Sequence, residues 1–360
     1  MRLWSAPSGD EAHLYNKSVV LTFGGPRAVL STSPFNGGLR EDLTAVFNHC
    51  LSPGGGMACQ LRAPTYGEHM ALVASELGLD PERSAGLATA ASMDYMATLS
   101  DRWGSVGATA FVTAGLEVNA GRAGDPAGWD EEREQGGDLK GGTVNVILHV
   151  SCGLSEGALT RALVTLTEAK AAALQELMVS SRYSDGIATG SGTDGAVIVA
   201  DSSSSLRLTD TGNHSKLGEL IGRVVKEAVK EGLKLQTDLT PQRQHDALRR
   251  VDRLGLTEDV LWERYRSAGG PLDRPHFSDG LHAAARGKLL APASLCVHLI
   301  DQMRWGLLSP EDARDSAAAL LSLMGLDPAG LDLTAPWDPE ALRDLLAEAL
   351  VGALGDDDST

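Results

Sequence analysis

The chain has 360 residues, of which 42% are apolar, and its 31 basic and 48 acidic side chains give a formal charge of -17 at pH 7. This composition predicts a soluble globular protein with one large core or two moderate ones. The acidic balance and the absence of a basic run argue against nucleic acid or an anionic membrane as a partner. Nothing resembles a signal peptide or a membrane span, so we expect a cytoplasmic protein.

Four cysteines are scattered without the close pairs of a zinc or redox site, and they suit reduced thiols. The nearest approach to a cluster combines His49 and Cys50 with Cys59 and His69. Its spacing fits no standard set of metal ligands, so we favour ordinary packing and loop residues there. We therefore expect no metal site.

The first half of the chain predicts mainly strands. Two β-branched runs flank a Gly-Gly-Pro turn and predict a hairpin over 18–32. Runs of alanine, threonine and valine over 86–114 predict further strands with a break at 101–104, and 141–151 is the strongest strand candidate. The acidic, glycine-rich stretch 124–142 predicts a surface loop.

A long helix is predicted from about Glu156 to Met178, with Ser155 as its N-cap. Its leucines recur at helical spacing and form an apolar stripe that consists of Leu159, Leu163, Leu166, Leu174 and Leu177. Lys170 lies within this stripe, where a core residue is expected, whereas Glu168 faces the opposite side. On pattern alone, a lysine there is more often a snorkelling stem than a functional group.

The stretch "ATGSGTDGAVIVAD" at 188–201 contains the pattern G-x-G-x-x-G, which in dinucleotide-binding proteins follows a strand and begins a helix. Here a helix precedes Gly190 and a strand follows Gly195, so we reject a nucleotide site. Two interpretations remain. The glycines either permit positive φ in a helix-to-strand connection, or they let a substrate approach backbone amides beside Thr193 and Asp194.

A second amphipathic helix is predicted from about Ser215 to Leu235. Strands come first and helices later, an order that favours an α+β fold with a layered mixed sheet and packed helices. "LTPQRQ", "LSPEDA" and "WDPEAL" each predict a helix that begins at proline. The predicted organisation is a domain over 1–237, an all-helical extension of four or five helices over 238–354, and a disordered acidic tail over 355–360.

Seven segments, spread over about 18–235, resemble the adenosylcobinamide amidohydrolase family (CbiZ). In order they are "VLSTSPFNGG", "GLATAASM", "VTAGLEVNAGRAGDPA", "GTVNVIL", "TEAKAAALQEL", "ATGSGTD" and "HSKLGELIGRVVKEAVKE". In the extension, "TPQRQH" and "LIDQMRWGLLSPED" resemble the longer, archaeal-type members. The chain departs from the family at "GLEVNAG" and at Cys152, but neither difference removes a group needed for hydrolysis.

The resemblance implies hydrolysis of the amide between the aminopropanol arm and the corrin propionate of adenosylcobinamide. The products would be adenosylcobyric acid and 1-amino-2-propanol, in the salvage and remodelling of corrinoids related to vitamin B12. The substrate itself carries cobalt, and no cofactor is expected. The alternatives are a corrinoid-binding or transfer protein without catalysis and an amidohydrolase of complete cobamides such as pseudocobalamin. The helical extension suits either a cap over the site or a homo-oligomer interface.

Amide hydrolysis needs a nucleophile, donors for the developing oxyanion and an acid for the departing amine. We expect Asp194, or the hydroxyl of Thr193 beside it, to activate water or to attack directly. Backbone amides of the glycine-rich turn would hold the oxyanion, at Gly190, Gly192 and Gly195.

"TEAK" is one of the family's segments, so the resemblance implies that Lys170 points into the same site. Glu168 is a further candidate, but because the two residues face opposite sides of the helix, one of them is expected to be structural. His214, just before the second helix, is a candidate acid or simply a flanking residue.

Three further polar residues are candidates for substrate binding. Asn119 and Asp125 follow a predicted strand end and could hold a corrin side-chain amide or complete the acid/base set, although turn formation is equally consistent with the sequence. Asn36 in "FNGG" is likewise a substrate contact or a turn former. Asn145 lies inside a predicted strand, and we interpret it as mainly structural.

Overall fold

The structure, a computed structural model, describes residues 1–52, 61–133, 135–136, 141–327, 330–331 and 337–354. The chain divides into two compact units, Met1–Thr240 and Pro241–Thr360. Each unit has its own hydrophobic core. Within the described residues, none of the helices combines the length and apolar character needed to cross a bilayer.

The first unit contains all of the described strands and three α-helices. In chain order the strands are β1 (Arg2–Ser5), β2 (Glu11–Tyr15), β3 (Ser18–Thr22), β4 (Arg27–Ser31), β5 (Gly38–Arg40), β6 (Ala45–Cys50), β7 (Ser84–Thr89), β8 (Ala97–Trp103), β9 (Val106–Gly115), β10 (Ala120–Gly121), β11 (Trp129–Asp130), β12 (Gln135–Gly136), β13 (Thr143–Val150), β14 (Gly153–Leu154), β15 (Gly190–Ser191), β16 (Gly195–Asp201) and β17 (Arg207–Leu208). The helices are α1 (Tyr66–Glu76), α2 (Glu156–Glu176) and α3 (Lys216–Thr237).

Two mixed sheets form the centre of this unit. One has the strand order β1-β2-β3-β6-β7, and the other has the order β5-β4-β16-β13-β9-β8. Neighbouring strands are antiparallel except for the parallel pairs β6 with β7 and β13 with β16. With the helices packed on these sheets and a helical C-terminal unit, the structure confirms the predicted α+β class.

β13 is buried on both faces, and since side chains alternate along a strand, it contributes to two cores. One face shares a core with α2 and α3 and consists of Val144, Val146, Leu148 and Val150. On the other face, Ile147 belongs to a core with Leu21 and Val46 of the five-stranded sheet. The outer face of that sheet packs on α1 through Phe47 and Met70. The unit is therefore a four-layer sandwich of α1, two sheets, and α2 with α3.

α2 confirms the predicted long helix. It begins after Ser155, whose hydroxyl accepts a hydrogen bond from the Ala158 N–H at 3.2 Å, and it ends at Glu176. Four of the five stripe leucines are buried, and Leu163 is half-buried. Lys170 thus occupies a helix face that otherwise packs on the sheet. α3 likewise confirms the second predicted helix.

The predicted hairpin over 18–32 is wrong, although both of its strands are present. β3 pairs with β2 and β6, whereas β4 pairs with β5 and β16 in the other sheet. The Gly24 N–H donates to Asp10 Oδ1 at 2.8 Å, and Arg27 binds the same carboxylate. The connection therefore turns around a buried carboxylate and passes from one sheet to the other.

Two other strand predictions need correction. The break expected at 101–104 comes slightly later, because β8 continues to Trp103 and Gly104 adopts the positive φ of the turn. The stretch 124–142, predicted as a loop, contains the short antiparallel pair β11 and β12, and part of it lies outside the described residues. The strand predicted over 141–151 is confirmed as β13.

The second unit is helical in its described residues. Its helices are α4 (Ala247–Val251), α5 (Glu258–Ser267), α6 (Arg274–Arg286), α7 (Leu290–Arg304), α8 (Pro310–Leu323) and α9 (Pro339–Gly352), more than the four or five predicted. Two predicted starts are confirmed, since Ser309 and Asp338 are the N-caps of α8 and α9. The third is wrong. α4 begins not at Pro241 but after Asp246, whose carboxylate accepts from the Leu248 N–H at 2.9 Å.

Three of the cysteines are described, and Cys50, Cys152 and Cys296 are buried free thiols. Burial raises the pKa of Cys152 to about 11 and that of Cys296 to about 12. Both thiols therefore stay protonated at neutral pH. Cys59 and the predicted tail 355–360 lie outside the described residues.

A buried charge network joins the two sheets at one end of the sandwich. Arg27 and Asp10 have no exposed surface, and the guanidinium donates to Asp10 from Nε at 2.8 Å and from Nη2 at 2.7 Å. Arg27 Nη1 also lies 2.8 Å from Asp201 Oδ1, and His149 Nε2 lies 2.7 Å from Asp10 Oδ2. Each charge is paired, which offsets the cost of removing it from water.

We predict that Arg27→Met lowers the free energy of unfolding by about 3 to 5 kcal/mol, because it leaves two buried carboxylates without their cation. Urea denaturation measures this change. The matched control is Arg2→Met, which removes an exposed pair with Glu11 at 2.9 Å and should change stability far less. Equal effects of the two substitutions would contradict a stabilising role for the network.

The same network predicts acid sensitivity. Burial alone would raise the pKa of Asp10, but hydrogen bonds from His149 and Arg27 outweigh it and lower the pKa to about 2. Because the unfolded state binds this proton more readily, the stabilisation is present above about pH 4 and is lost as the pH falls towards 2. We expect a loss of about 2 kcal/mol over that range by denaturant titration at each pH. Asp94→Asn, which removes an exposed carboxylate outside the network, should retain this loss.

Candidate functional site

Lys170 on α2 and Asp194, just before β16, form an ion pair. Each side chain is only 12% exposed, so the pair is largely withdrawn from solvent. Lys170 lies on the apolar face of the helix between the buried Leu166 and Leu174. An ammonium group in that position costs desolvation energy unless an anion meets it, and Asp194 supplies the anion.

The Asp194 carboxylate is held by four donors. Oδ1 accepts from the Val144 N–H at 2.8 Å and from Ser191 Oγ at 2.6 Å. Oδ2 accepts from the Ser191 N–H at 2.9 Å and from Lys170 Nζ. A carboxylate has about four lone-pair positions, so these donors fix its orientation and satisfy its charge.

Thr193 lies beside this carboxylate but uses its hydroxyl elsewhere. Its Oγ1 donates to the Gly142 carbonyl at 3.0 Å and shares a hydrogen bond with Thr143 Oγ1 at 2.5 Å. The Ser191 hydroxyl is 3.4 Å away. Thr193 thus ties the glycine-rich turn to the start of β13.

The three glycines of the turn meet different surroundings, and none adopts positive φ. A Cβ on Gly190 would overlap the Asp194 carboxylate and lie 2.6 Å from Lys170 Nζ. A Cβ on Gly195 would lie 2.8 Å from Asn145 Oδ1, whereas one on Gly192 would meet open space. Glycine is therefore required at the first and last positions because neighbouring side chains leave no room for a Cβ, and not because the backbone adopts a positive φ.

A buried polar network lies next to the ion pair. Asn145 Nδ2 donates to Asn48 Oδ1 and to the Ala88 carbonyl, both at 2.9 Å, and Asn48 Nδ2 donates to Thr113 Oγ1 at 2.9 Å. Asn145 pairs with Gly195 in the parallel register of β13 and β16. This network links both sheets beneath the glycine-rich turn, which agrees with a structural role for Asn145.

Asn119 reaches the turn through a shared acceptor. Its Nδ2 donates to the Gly142 carbonyl at 3.0 Å, the same oxygen that Thr193 binds. Its Oδ1 accepts from the Tyr183 hydroxyl at 2.6 Å. Asn119 is 5% exposed, so it supports the glycine-rich turn from the interior of the unit.

Asp125 stabilises the loop that carries β10, the strand paired with β15. Its Oδ2 accepts from the Arg122 N–H at 2.7 Å and from Ser181 Oγ at 2.6 Å. Burial raises the pKa of this carboxyl, but hydrogen bonds from Ser181 and Ser184 outweigh burial, so the net shift is downward. Both Asp125 and Asn119 therefore support the loop that holds the glycine-rich turn.

The remaining predicted residues lie apart from the ion pair. Asn36 has a φ of 51°, which is typical of a turn, and its Nδ2 donates to the carbonyls of Pro81 and Ser84, at 2.7 Å each, so the side chain ties this turn to the start of β7. Glu168 accepts from Asn213 Nδ2 at 2.8 Å on the exposed side of α2. His214 is exposed in the turn before α3.

No hydrogen bond or ion pair joins Glu168 or His214 to Lys170 or Asp194, all of which belong to the described part of the chain. The structure thus brings Lys170, Asp194 and Thr193 together with the glycines, and it separates Glu168 and His214 from them.

Ser191 is the residue that the sequence analysis missed. Its N–H and its hydroxyl both donate to Asp194, three residues later. A serine followed at that spacing by an aspartate is common in turns, so the pattern alone does not single it out. The available signal was its position between two glycines of the same family segment.

The histidines that were set aside as metal ligands have other contacts. His49 Nδ1 lies 2.7 Å from Ser18 Oγ, His69 Nδ1 accepts from the Arg62 N–H at 3.0 Å, and the two rings are 6.3 Å apart. Burial, together with the nearby His69, lowers the pKa of His49 to about 4. In the residues described, no group of three or more His, Cys, Asp or Glu side chains could hold a metal ion.

Comparison with known proteins gives two relatives by sequence. An uncharacterized protein of Methanocaldococcus jannaschii is 34% identical over 232 residues, which cover 60% of this chain and 86% of the relative. The adenosylcobinamide amidohydrolase of Methanosarcina mazei is 34% identical over 165 residues, which cover 43% of this chain and 67% of the relative.

Among solved structures, a protein from Pyrococcus horikoshii matches with a TM-score of 0.34 at 12% identity, over 60% of this chain and 76% of that chain. This similarity is too low to assign a fold.

The family model described as adenosylcobinamide amidohydrolase matches residues 5–241, about two thirds of the chain. This match confirms the resemblance carried by the seven segments, and the ion pair and its glycine-rich turn lie within it. The chain therefore belongs to the adenosylcobinamide amidohydrolase family, whose members are amidohydrolases with a cobinamide-related role.

Proposed function

We propose that this protein hydrolyses the amide between the aminopropanol arm and the corrin propionate of adenosylcobinamide. The products are adenosylcobyric acid and 1-amino-2-propanol, which serve the salvage and remodelling of corrinoids. Membership of the family supports the reaction class, and the name of the Methanosarcina mazei relative supports the substrate. The observation that carries the proposal is the ion pair of Lys170 and Asp194 beside hydroxyl groups of one glycine-rich turn.

The ion pair suits amide hydrolysis because the reaction moves protons at two atoms, the attacking oxygen and the departing nitrogen. Asp194 accepts the proton of the attacking group, and Lys170 holds the carboxylate in place and balances its charge. The exposed backbone of Gly192 gives the oxyanion access to an amide N–H without obstruction by a side chain.

Tyr183 provides an exposed aromatic side chain next to residues that support the turn. It binds Asn119, packs against Gly121 and is 42% exposed. We propose that its ring packs against the corrin macrocycle, whose planar π system suits contact with an aromatic ring.

The proposal is tested by incubating the purified protein with adenosylcobinamide and following the products by liquid chromatography and mass spectrometry. We expect equal amounts of adenosylcobyric acid and 1-amino-2-propanol, and the same rate with a metal chelator because no cofactor is proposed. Pseudocobalamin, tested in parallel, is expected to be cleaved more slowly.

Each contrary result selects another function. Faster cleavage of pseudocobalamin would make complete cobamides the substrate. Tight corrinoid binding without cleavage would identify a binding or transfer protein. Loss of activity in chelator, restored by zinc, would replace the proposed mechanism with one that uses a metal.

We predict that Asp194→Asn and Lys170→Met each lower kcat/KM by about 10² to 10³-fold. The first removes the carboxylate that accepts the proton, and the second removes the cation that holds this carboxylate in place. The assay is the same product analysis. The matched control is Lys230→Met, which removes a surface lysine paired with Glu176 on a different part of the unit and should leave kcat/KM unchanged. Full activity of Asp194→Asn would remove the carboxylate from the mechanism.

A further inference from the structure

Within the part of the chain that the structure describes, Ser191 is the residue whose hydroxyl bonds directly to the Asp194 carboxylate. Ser191 Oγ donates to Asp194 Oδ1 at 2.6 Å, a short distance typical of a hydroxyl bound to a carboxylate. The residue is half-buried at the exposed end of the turn, next to the exposed Gly192 and Thr193. Ser191 thus lies between the exposed residues of the turn and the Asp194 carboxylate, whose side chain is only 12% exposed.

The two nucleophiles expected from the sequence are less well placed. The Asp194 carboxylate accepts four hydrogen bonds, so direct attack by either oxygen would require it to give up donors. The Thr193 hydroxyl donates to the Gly142 carbonyl, which is not a base, and its other close contact is the hydroxyl of Thr143. Only Ser191, of the three, has a hydroxyl hydrogen directed at a base.

The base is itself fixed by groups from two other elements. Lys170 Nζ reaches Asp194 from α2, and the Val144 N–H reaches it from β13. A nucleophile within hydrogen-bond reach of a base that a third group orients is the arrangement common to enzymes with activated hydroxyl nucleophiles. Gly190 makes this possible, since a side chain there would occupy the space of the pair.

We propose that Ser191 is the nucleophile and that the reaction passes through an ester between Ser191 and the corrin propionate; this inference rests on the proposed amide hydrolysis. Ser191 Oγ bonds to the carbonyl carbon as its proton moves to Asp194 Oδ1. The carbon–nitrogen bond then breaks, and the amine leaves with that proton. Water next attacks the ester carbon and gives a proton to Asp194. The ester bond breaks, and Ser191 recovers its proton while the acid is released.

The first test compares variants with the adenosylcobinamide assay. Ser191→Ala is expected to lower kcat/KM by at least about 10³-fold while its melting temperature and its affinity for adenosylcobinamide stay close to wild type. Ser75→Ala, an exposed serine on α1, is the matched control and should keep full activity. If Ser191→Ala keeps a tenth or more of wild-type activity, Ser191 is not the nucleophile.

The second test reports nucleophilicity without turnover. A fluorophosphonate probe phosphonylates an activated serine and releases fluoride, and peptide mass spectrometry locates the modified residue. We expect modification of Ser191 in the wild-type protein, and at least a tenfold slower reaction in Asp194→Asn. Ser191 left unmodified, or modified equally fast in that variant, would overturn the proposal.

Together the two tests separate this inference from the proposed function. Cleavage by the wild-type protein without modification of Ser191 would reject the ester mechanism and keep the function. Modification of Ser191 in a protein that does not cleave adenosylcobinamide would keep the activated serine and reject the substrate.

Discussion

A lysine ammonium on the buried face of α2 requires a nearby anion, and this requirement organises the candidate site. Lys170 can remain between apolar neighbours only because Asp194 meets it. Asp194 can do so only because β13 and the turn hold its other donors in place. The helix, the strand and the turn are thus joined by one carboxylate, which also accepts a hydrogen bond from the hydroxyl of Ser191.

β13 explains why this carboxylate has a rigid support. Both faces of the strand are buried, and its inter-sheet face carries polar residues near each end, Asn145 and His149, with Ile147 between them. Each polar residue has buried partners: Asn145 binds Asn48, and His149 binds Asp10. The two sheets are therefore linked by polar contacts at both ends of the strand, so the N-terminal end beside the site gains a fixed framework.

Periodicity predicted the helices and the placement of Lys170. Successive residues of a helix are separated by a fixed angle, so the face on which each side chain lies can be counted from the sequence alone. Periodicity failed at the connection between β3 and β4, where Arg27 pairs with Asp10, a buried residue that lies outside the predicted hairpin, as the chain passes from one sheet to the other. Ser191 was missed for a related reason. Its importance depends on the direction of one hydroxyl towards a carboxylate, and the sequence shows only that a serine stands between two glycines.

The three glycines of the turn have a consequence for reading sequences of this kind. A pattern search treats Gly190, Gly192 and Gly195 as equal letters, yet a Cβ would meet the charged pair at the first and Leu87 and Asn145 at the last, while the middle one has free space. Natural variation among relatives should follow these surroundings and not the spacing of the pattern. Which of the three positions accept a residue other than glycine in a distant relative then indicates whether that relative has kept the pair of Lys170 and Asp194.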